Sequence, residues 1–189
     1  TGQLELVLPK PNGKSVASFI PKQFEAKALK LDWAGNSLVA DGNAQRLEAK
    51  INAPALQNIH PSLRGKITGL ATLTGQLDRP DMTLSLDVSQ LVAGQIKIDS
   101  ATVRGDVPQL GQAPSTLTIH ADQVIQGTRK IDNVDVSLNG TQQAHVLDAS
   151  AAINKTLLSL RLAGGLRDGM NWIGQLQNGQ IKSKVLTLA

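Results

Sequence analysis

Cysteine is absent from the 189 residues. That excludes a disulfide framework, a thiolate metal site and a cysteine nucleophile. Tyrosine is absent as well, and two Phe and two Trp are the only aromatic residues. Proteins that hold single-stranded nucleic acid set stacking rings beside positive charge. Four scattered rings cannot do this, so nucleic acid is not expected as a partner despite a net charge of +4. The positive excess is confined to residues 1–66, as isolated Lys and Arg rather than a block. No apolar run of about 18 residues and no basic-then-apolar leader is present, so this stretch should hold neither a transmembrane helix nor a signal peptide. It opens on Thr1 and enters an apolar pattern almost at once, which points to excision from a longer chain.

Groups for chemistry are equally sparse. His60, His120 and His145 lie in separate segments with no i, i+4 pair, so zinc spacing is missing. His60, beside Pro61, reads as a solvated loop residue, and His120 falls on a polar phase. His145 falls on an apolar phase and is expected to hydrogen-bond a neighbour. Asp132 and Asp135 would point to opposite faces of a strand, a poor arrangement for a carboxylate pair. No G-x-S-x-G, P-loop or G-x-G-x-x-G occurs. Asn139-Gly140-Thr141 and Asn154-Lys155-Thr156 match the glycosylation pattern, which is short and common and has meaning only in a protein secreted by a eukaryote. The expectation is a protein without catalytic residues, metal or cofactor, and not an enzyme.

What the chain does have is aliphatic alternation. Hydrophobic residues make up 41% of it, 27 of them Leu. Apolar residues recur at every second position in Leu4–Leu8, Leu29–Trp33, Leu38–Ala40, Leu47–Ile51, Ile67–Leu77, Met82–Val88, Ile96–Ile98, Val103–Val107, Leu117–Ile119, Val134–Leu138, His145–Ile153, Leu158–Leu162, Trp172–Leu176 and Leu186–Leu188. Successive side chains on a strand take opposite faces, so this predicts about a dozen half-greasy strands. Asn12-Gly13, Asp41-Gly42, Asn139-Gly140, Asp168-Gly169 and Asn178-Gly179 read as hairpin turns, which makes sequence neighbours antiparallel neighbours. Pro9, Pro11 and Pro21 make 9–23 an irregular link, in which "SVASF" could form a short edge strand. The stretch 54–64 should hold a short helical insertion limited by Pro61. Alternation resumes at Ile67, so residues 1–189 read as one continuous β segment.

A greasy face on so many strands needs a cover. Each aliphatic side chain is worth about 1.5–3 kcal/mol when buried, against a net stability of about 5–15 kcal/mol. A second sheet would serve, but Gly69, Ala71, Gly75, Ala149 and Ala151 make the face thin for a packed sandwich. A membrane barrel should carry aromatic girdles, and these are missing. The third cover is an apolar ligand lying in a curled sheet, for which featureless aliphatics suit acyl chains. The candidate lining is Leu29, Leu31, Leu47, Ile51, Leu73, Leu77, Leu84, Leu86, Val88, Ile96, Ile98, Leu117, Ile119, Val134, Val136, Leu138, Leu147, Leu158, Leu160, Leu162 and Leu176.

One further pattern bears on the choice. A strand ending in Gly140-Thr141 is followed by His145 at the next strand, then Leu160-x-Leu162-x-Gly164, then Trp172-x-Gly174-x-Leu176. Upstream, "APALQNIHPSLRGKITGLATLTGQLDRPDMTLSLDV" is an insertion, a strand and a proline turn, and "LKLDW" stands at 29–33. Together, over residues 25–180, these resemble the TamB family of AsmA-like proteins of the Gram-negative envelope. The resemblance implies an all-β antiparallel meander curled into a groove-like, taco-shaped sheet with an aliphatic concave face. It implies a periplasmic portion of an inner-membrane-anchored protein, forming a bridge that carries phospholipids between inner and outer membranes. It also implies an outer-membrane partner of the Omp85 type, TamA, engaged through parent regions outside these residues. The alternative function is a chaperone for outer-membrane proteins and autotransporters that takes up client strands by β-augmentation.

Overall fold

Strands with one apolar face, joined by turns too short for crossovers, can pair only with their neighbours in sequence. The computed structural model describes residues 3–7, 23–76, 79–167 and 171–183. In it the strands follow one another as β1 (Gln3–Val7), β2 (Gln23–Trp33), β3 (Asn36–Asn43), β4 (Arg46–Ala53), β5 (Leu63–Gln76), β6 (Arg79–Ala93), β7 (Ile96–Val107), β8 (Ser115–Gln126), β9 (Arg129–Gly140), β10 (His145–Ile153), β11 (Thr156–Arg167) and β12 (Asn171–Ser183). They form a single sheet of 12 strands whose spatial order is the sequence order. Every pairing is antiparallel, and β1 and β12 stand at opposite edges. The protein is thus all-β, an open, curled antiparallel meander. Strands about 4.8 Å apart make the sheet about 50 Å long across its strands.

The expected link at 9–23 lies outside the described residues except for Gln23, which opens β2. The strand around Leu186 and Leu188 and the turns at Asn12-Gly13 and Asp168-Gly169 also lie outside them. Within 54–64 a single 3-10 turn, Leu56–Asn58, is held down by side-chain amides. Asn36 Nδ2 donates to Ala55 O, the Ala55 N–H donates to Asn36 Oδ1, each at 3.1 Å, and Asn58 Nδ2 donates to Ala34 O at 2.8 Å.

Three expected turn dipeptides are parts of strands. Asp41-Gly42 and Asn178-Gly179 lie inside β3 and β12, and Asn139-Gly140 ends β9 directly before the reversal at 141–144. The positive φ that suits such a dipeptide to a hairpin suits an irregular strand equally well. Gly42 has φ 134 beside the β2–β3 register shift, where Asp41 Oδ2 accepts the Ala28 N–H at 2.9 Å. Asn178-Gly179 adjoins the β11–β12 shift. Two-residue turns stand instead at Ala34-Gly35, Gly94-Gln95, Gly127-Thr128 and Asn154-Lys155, each with its first residue at positive φ, and Ala44-Gln45 joins β3 to β4.

A second irregularity crosses the middle of the sheet. Gly65, at φ 113, sits in the β5–β6 register shift opposite Gln90, at φ 52, and Gln123 at φ 50 marks the same level on β8. Apolar spacing there is three rather than two: Val88 to Leu91, Ile98 to Ala101, Ala121 to Val124 and Ile131 to Val134. Bulges let each strand keep its apolar residues on one face while adding local twist.

Almost nothing is sequestered. Among the described residues the buried hydrophobics are Ala26, Ala53, Leu56, Ala101 and Ala121, and no large side chain is fully buried. Leu56 owes its burial to the tethered 3-10 turn.

Candidate functional site: an aliphatic sheet face

Residues paired directly across two strands share a face, so the register decides whether the aliphatic positions converge. One row runs Leu31, Leu38, Ile51, Gly69, Leu86, Val103, Ile119, Val136, Ala149 and Leu160. The next runs Leu29, Ala40, Ala49, Ala71, Leu84, Gly105, Leu117, Leu138, Leu147, Leu162 and Leu176. On one side lie Leu47, Leu73 and Met82; on the other Ile67, Val88, Ala101, Ala121, Val134, Ala151, Leu158 and Ile181. Ile96 and Ile98 pair with Ala93 and Leu91 beyond the bulge, on the same face. All the candidate positions are therefore together except Leu77, which lies outside the described residues.

Leu91, Val124 and Ile131 belong to this face too and escaped the two-residue rhythm because the bulge offsets them by one. Their spacing of three, repeated in successive strands, was the signal that could have found them. Mixing Gly69, Ala71, Ala101 and Ala121 with Leu and Ile makes a low surface, and no second layer packs on it among the described residues. Exposure rises toward the β2 and β12 ends, reaching 57% at Leu31 and 76% at Ile181. A depression of about 460 Å³ lies over β9–β12, lined by Val134, Ala149, Ala151, Leu158, Leu160 and Ile181 among others.

Polar groups reach this face in few places. His145 pairs with Gly140 and Gly164. Its Nε2 lies 2.8 Å from Trp172 Nε1 and its Nδ1 3.1 Å from Thr141 O. An indole N–H can only donate and a carbonyl only accept, so His145 is the neutral tautomer with its proton on Nδ1. Trp172 is laid over Gly164 and Gly174, where a Cβ on either would collide with the indole. This is the hydrogen-bonded histidine expected from its place on the apolar phase. Its partner lies 27 residues away and was not foreseeable from the sequence.

The opposite face is wet. Arg104 pairs with Asp87 at 2.7 Å and Arg161 with Asp148 at 3.1 Å. His120 stands between Asp135 at 2.6 Å and Asp122 at 3.2 Å. The hydrogen bond to Asp135, with the charge of both carboxylates, raises its pKa above the ordinary histidine value, overcoming the opposing effect of desolvation. His60, as expected, is exposed in its loop, with Nδ1 2.7 Å from Ser62 Oγ. Among the described residues no group of three or more His, Asp or Glu could hold a metal ion, and no helix is long and apolar enough to cross a membrane.

The family profile described as "TamB, N-terminal domain" matches residues 12–189. The chain belongs to the TamB family. It is 24% identical over 162 residues to the "Translocation and assembly module subunit TamB" of Haemophilus influenzae, a match that covers 83% of this chain. The chain spans 12% of the length of that curated relative. No solved structure matches it.

Proposed function

We propose that this TamB-family segment is a stretch of a lipid-conducting groove in the cell envelope, without catalytic chemistry. One observation carries the proposal: an unbroken aliphatic face runs the length of an open sheet, and no protein layer among the described residues covers it. The largest apolar patch on a typical soluble monomer is about 300–600 Å², and a face about 50 Å long with three rows of side chains about 7 Å apart, roughly 700 Å² or more, exceeds that. Acyl chains offer no hydrogen bonds to read, and Leu, Ile, Val and Ala ask for none. Chains would lie along the face and slide past side chains that hold them by no directional bond, while head groups stay in water at the rims. The relative's name, a subunit of a translocation and assembly module, accords with a place in a larger envelope assembly. An Omp85-type partner such as TamA would be engaged by parts of the parent beyond this segment.

Native mass spectrometry of the chain should find phospholipid bound. Leu86→Asp puts a carboxylate in the middle of the face and should abolish photocrosslinking to a phospholipid while leaving the β circular dichroism intact. Absence of lipid together with unaltered crosslinking in the variant would sink the proposal. A second reading draws on β12, exposed along its whole length and paired, among the described residues, only with β11. Such an edge can accept a client strand by β-augmentation. Retention of outer-membrane client strands by protein that carries no lipid would favour it instead.

A further inference from the structure

The two long rims of the sheet, where the strands turn, differ in charge. One rim is made by the turn Ala34-Gly35, the loop at 54–62, the turns Gly94-Gln95, Gly127-Thr128 and Asn154-Lys155, and the end of β12. From the 54–62 loop to the end of β12 stand Arg64, Lys97, Arg129, Lys130, Lys155 and Lys182, with no carboxylate among the residues flanking those turns, while at the Ala34-Gly35 turn Asp32 is ion-paired with Lys30 at 3.0 Å. On that stretch Asp99 and Asp132 are the nearest acids and lie further in, at the level of the bulge. None of these six cations has an ion-pair partner among the described residues. The other rim is mixed: Asp41, Glu48, Asp81 and Asp106 offset Arg46, Arg79 and Arg167.

The basic rim is continuous with the aliphatic face. Arg129 pairs with Gln126, which pairs with Ile96, so its side chain stands on the aliphatic side at the end of the row holding Ala93 and Leu63. Lys97 and Lys130 pair with Val92 and Ile125 and emerge on the other side of the same edge. Arg64 and Lys66 line a hollow of about 320 Å³ beside the Gly65 bulge. A molecule lying with its chains on the face and its polar end at this edge would meet cations from both sides.

We propose that this edge is a rail for the phosphate of phospholipid head groups, so that lipids occupy the groove in one orientation, tails inward and heads at the turns following β4, β6, β8 and β10. This rests on the groove function proposed above and adds the orientation and the charge class of the cargo. Phosphate is the matching group because it presents several acceptors to Lys and Arg donors. Spacing the cations along the edge, rather than gathering them in one pocket, lets a head group pass from one to the next. The attraction is exposed, so it should weaken with salt.

The experiment uses the 189-residue chain and three probes: fluorescent phosphatidylglycerol, diacylglycerol with the same chains and no phosphate, and inorganic phosphate as competitor. The triple variant R129E/K130E/K155E should bind phosphatidylglycerol about tenfold or more weakly, since each basic residue near an anionic lipid contributes appreciably, and diacylglycerol as well as the parent does. The variant R79E/R167E, on the mixed rim, should bind both as the parent does. Equal phosphatidylglycerol binding by the triple variant and the parent would overturn the rail, as would equal losses from the two rims. Inorganic phosphate that displaces the lipid at matched ionic strength would also overturn it, because the edge would then be a plain anion site. Should the parent bind neither lipid, the groove itself falls and the rail with it. Diacylglycerol binding with no preference for phosphatidylglycerol leaves the groove standing and removes the rail alone.

Discussion

Among the described residues His120 carries the one clear pH dependence on the wet face. Because Asp135 and Asp122 raise its folded-state pKa, the folded protein prefers the charged ring. Its contribution to stability is full below the unfolded value of about 6.5 and is lost as pH rises through the folded pKa. An NMR titration should put the His120 midpoint above 6.5, and Asp135→Asn should lower it more than Asp122→Asn, since Asp135 supplies the dominant hydrogen bond. A midpoint unmoved by Asp135→Asn would contradict the geometry. That His120 is on the polar face was legible from the residues beside it, whereas its two carboxylates come from its own strand and the next one, a matter of register. The same holds for His145: one residue's phase can be read locally, but Trp172 folds onto it only because Gly164 and Gly174 leave room for the indole.

Among the elements, β5 and β6 show how a single glycine governs a strand pair. A Cβ at Gly65 would run into the Ser89 and Gln90 carbonyl oxygens, at a φ of 113 that L residues rarely adopt. Gly65→Ala should therefore cost about 1–3 kcal/mol, read as a lowered urea midpoint. Gly94→Ala, in a turn where a Cβ meets nothing within 4 Å, should cost less. Comparable losses from the two would mean the bulge is not a rigid feature. Strands were the most legible elements, because apolar residues at every second position match the period of a strand and miss that of a helix. Turns were the least legible: an Asn-Gly or Asp-Gly pair states which backbone angles are tolerated, not whether the chain reverses there. Asp41-Gly42 uses that tolerance beside a bulge, with Gly42 at φ 134, and Asn154-Lys155 makes a turn with no glycine at all.

For the whole molecule, the consequence of an uncovered face is that a ligand can supply what a core otherwise would. A ligand that binds only the folded chain at about a hundred times its Kd adds about 2.7 kcal/mol. In a domain of this size that corresponds to about 5–10 °C in the melting midpoint. A short-chain phospholipid should raise the Tm of the parent by that order and leave Leu86→Asp unmoved, as followed by scanning calorimetry. An equal rise in both would mean the lipid acts elsewhere than on the face. The convergence of the aliphatic positions was legible as far as parity of position could carry it. The asymmetry of the two rims was not, because it depends on which turns fall on the same edge.

The strictly sequential order from β1 to β12 bears on how such a chain is made. Each strand finds its partner in the residues synthesised just before it, so no segment must wait for a distant one and contact order is low for a β protein. The sheet can thus grow hairpin by hairpin as the polypeptide emerges, its advancing edge always the newest strand. Adding or removing a hairpin alters the reach of the finished sheet without disturbing the register of the strands already laid down.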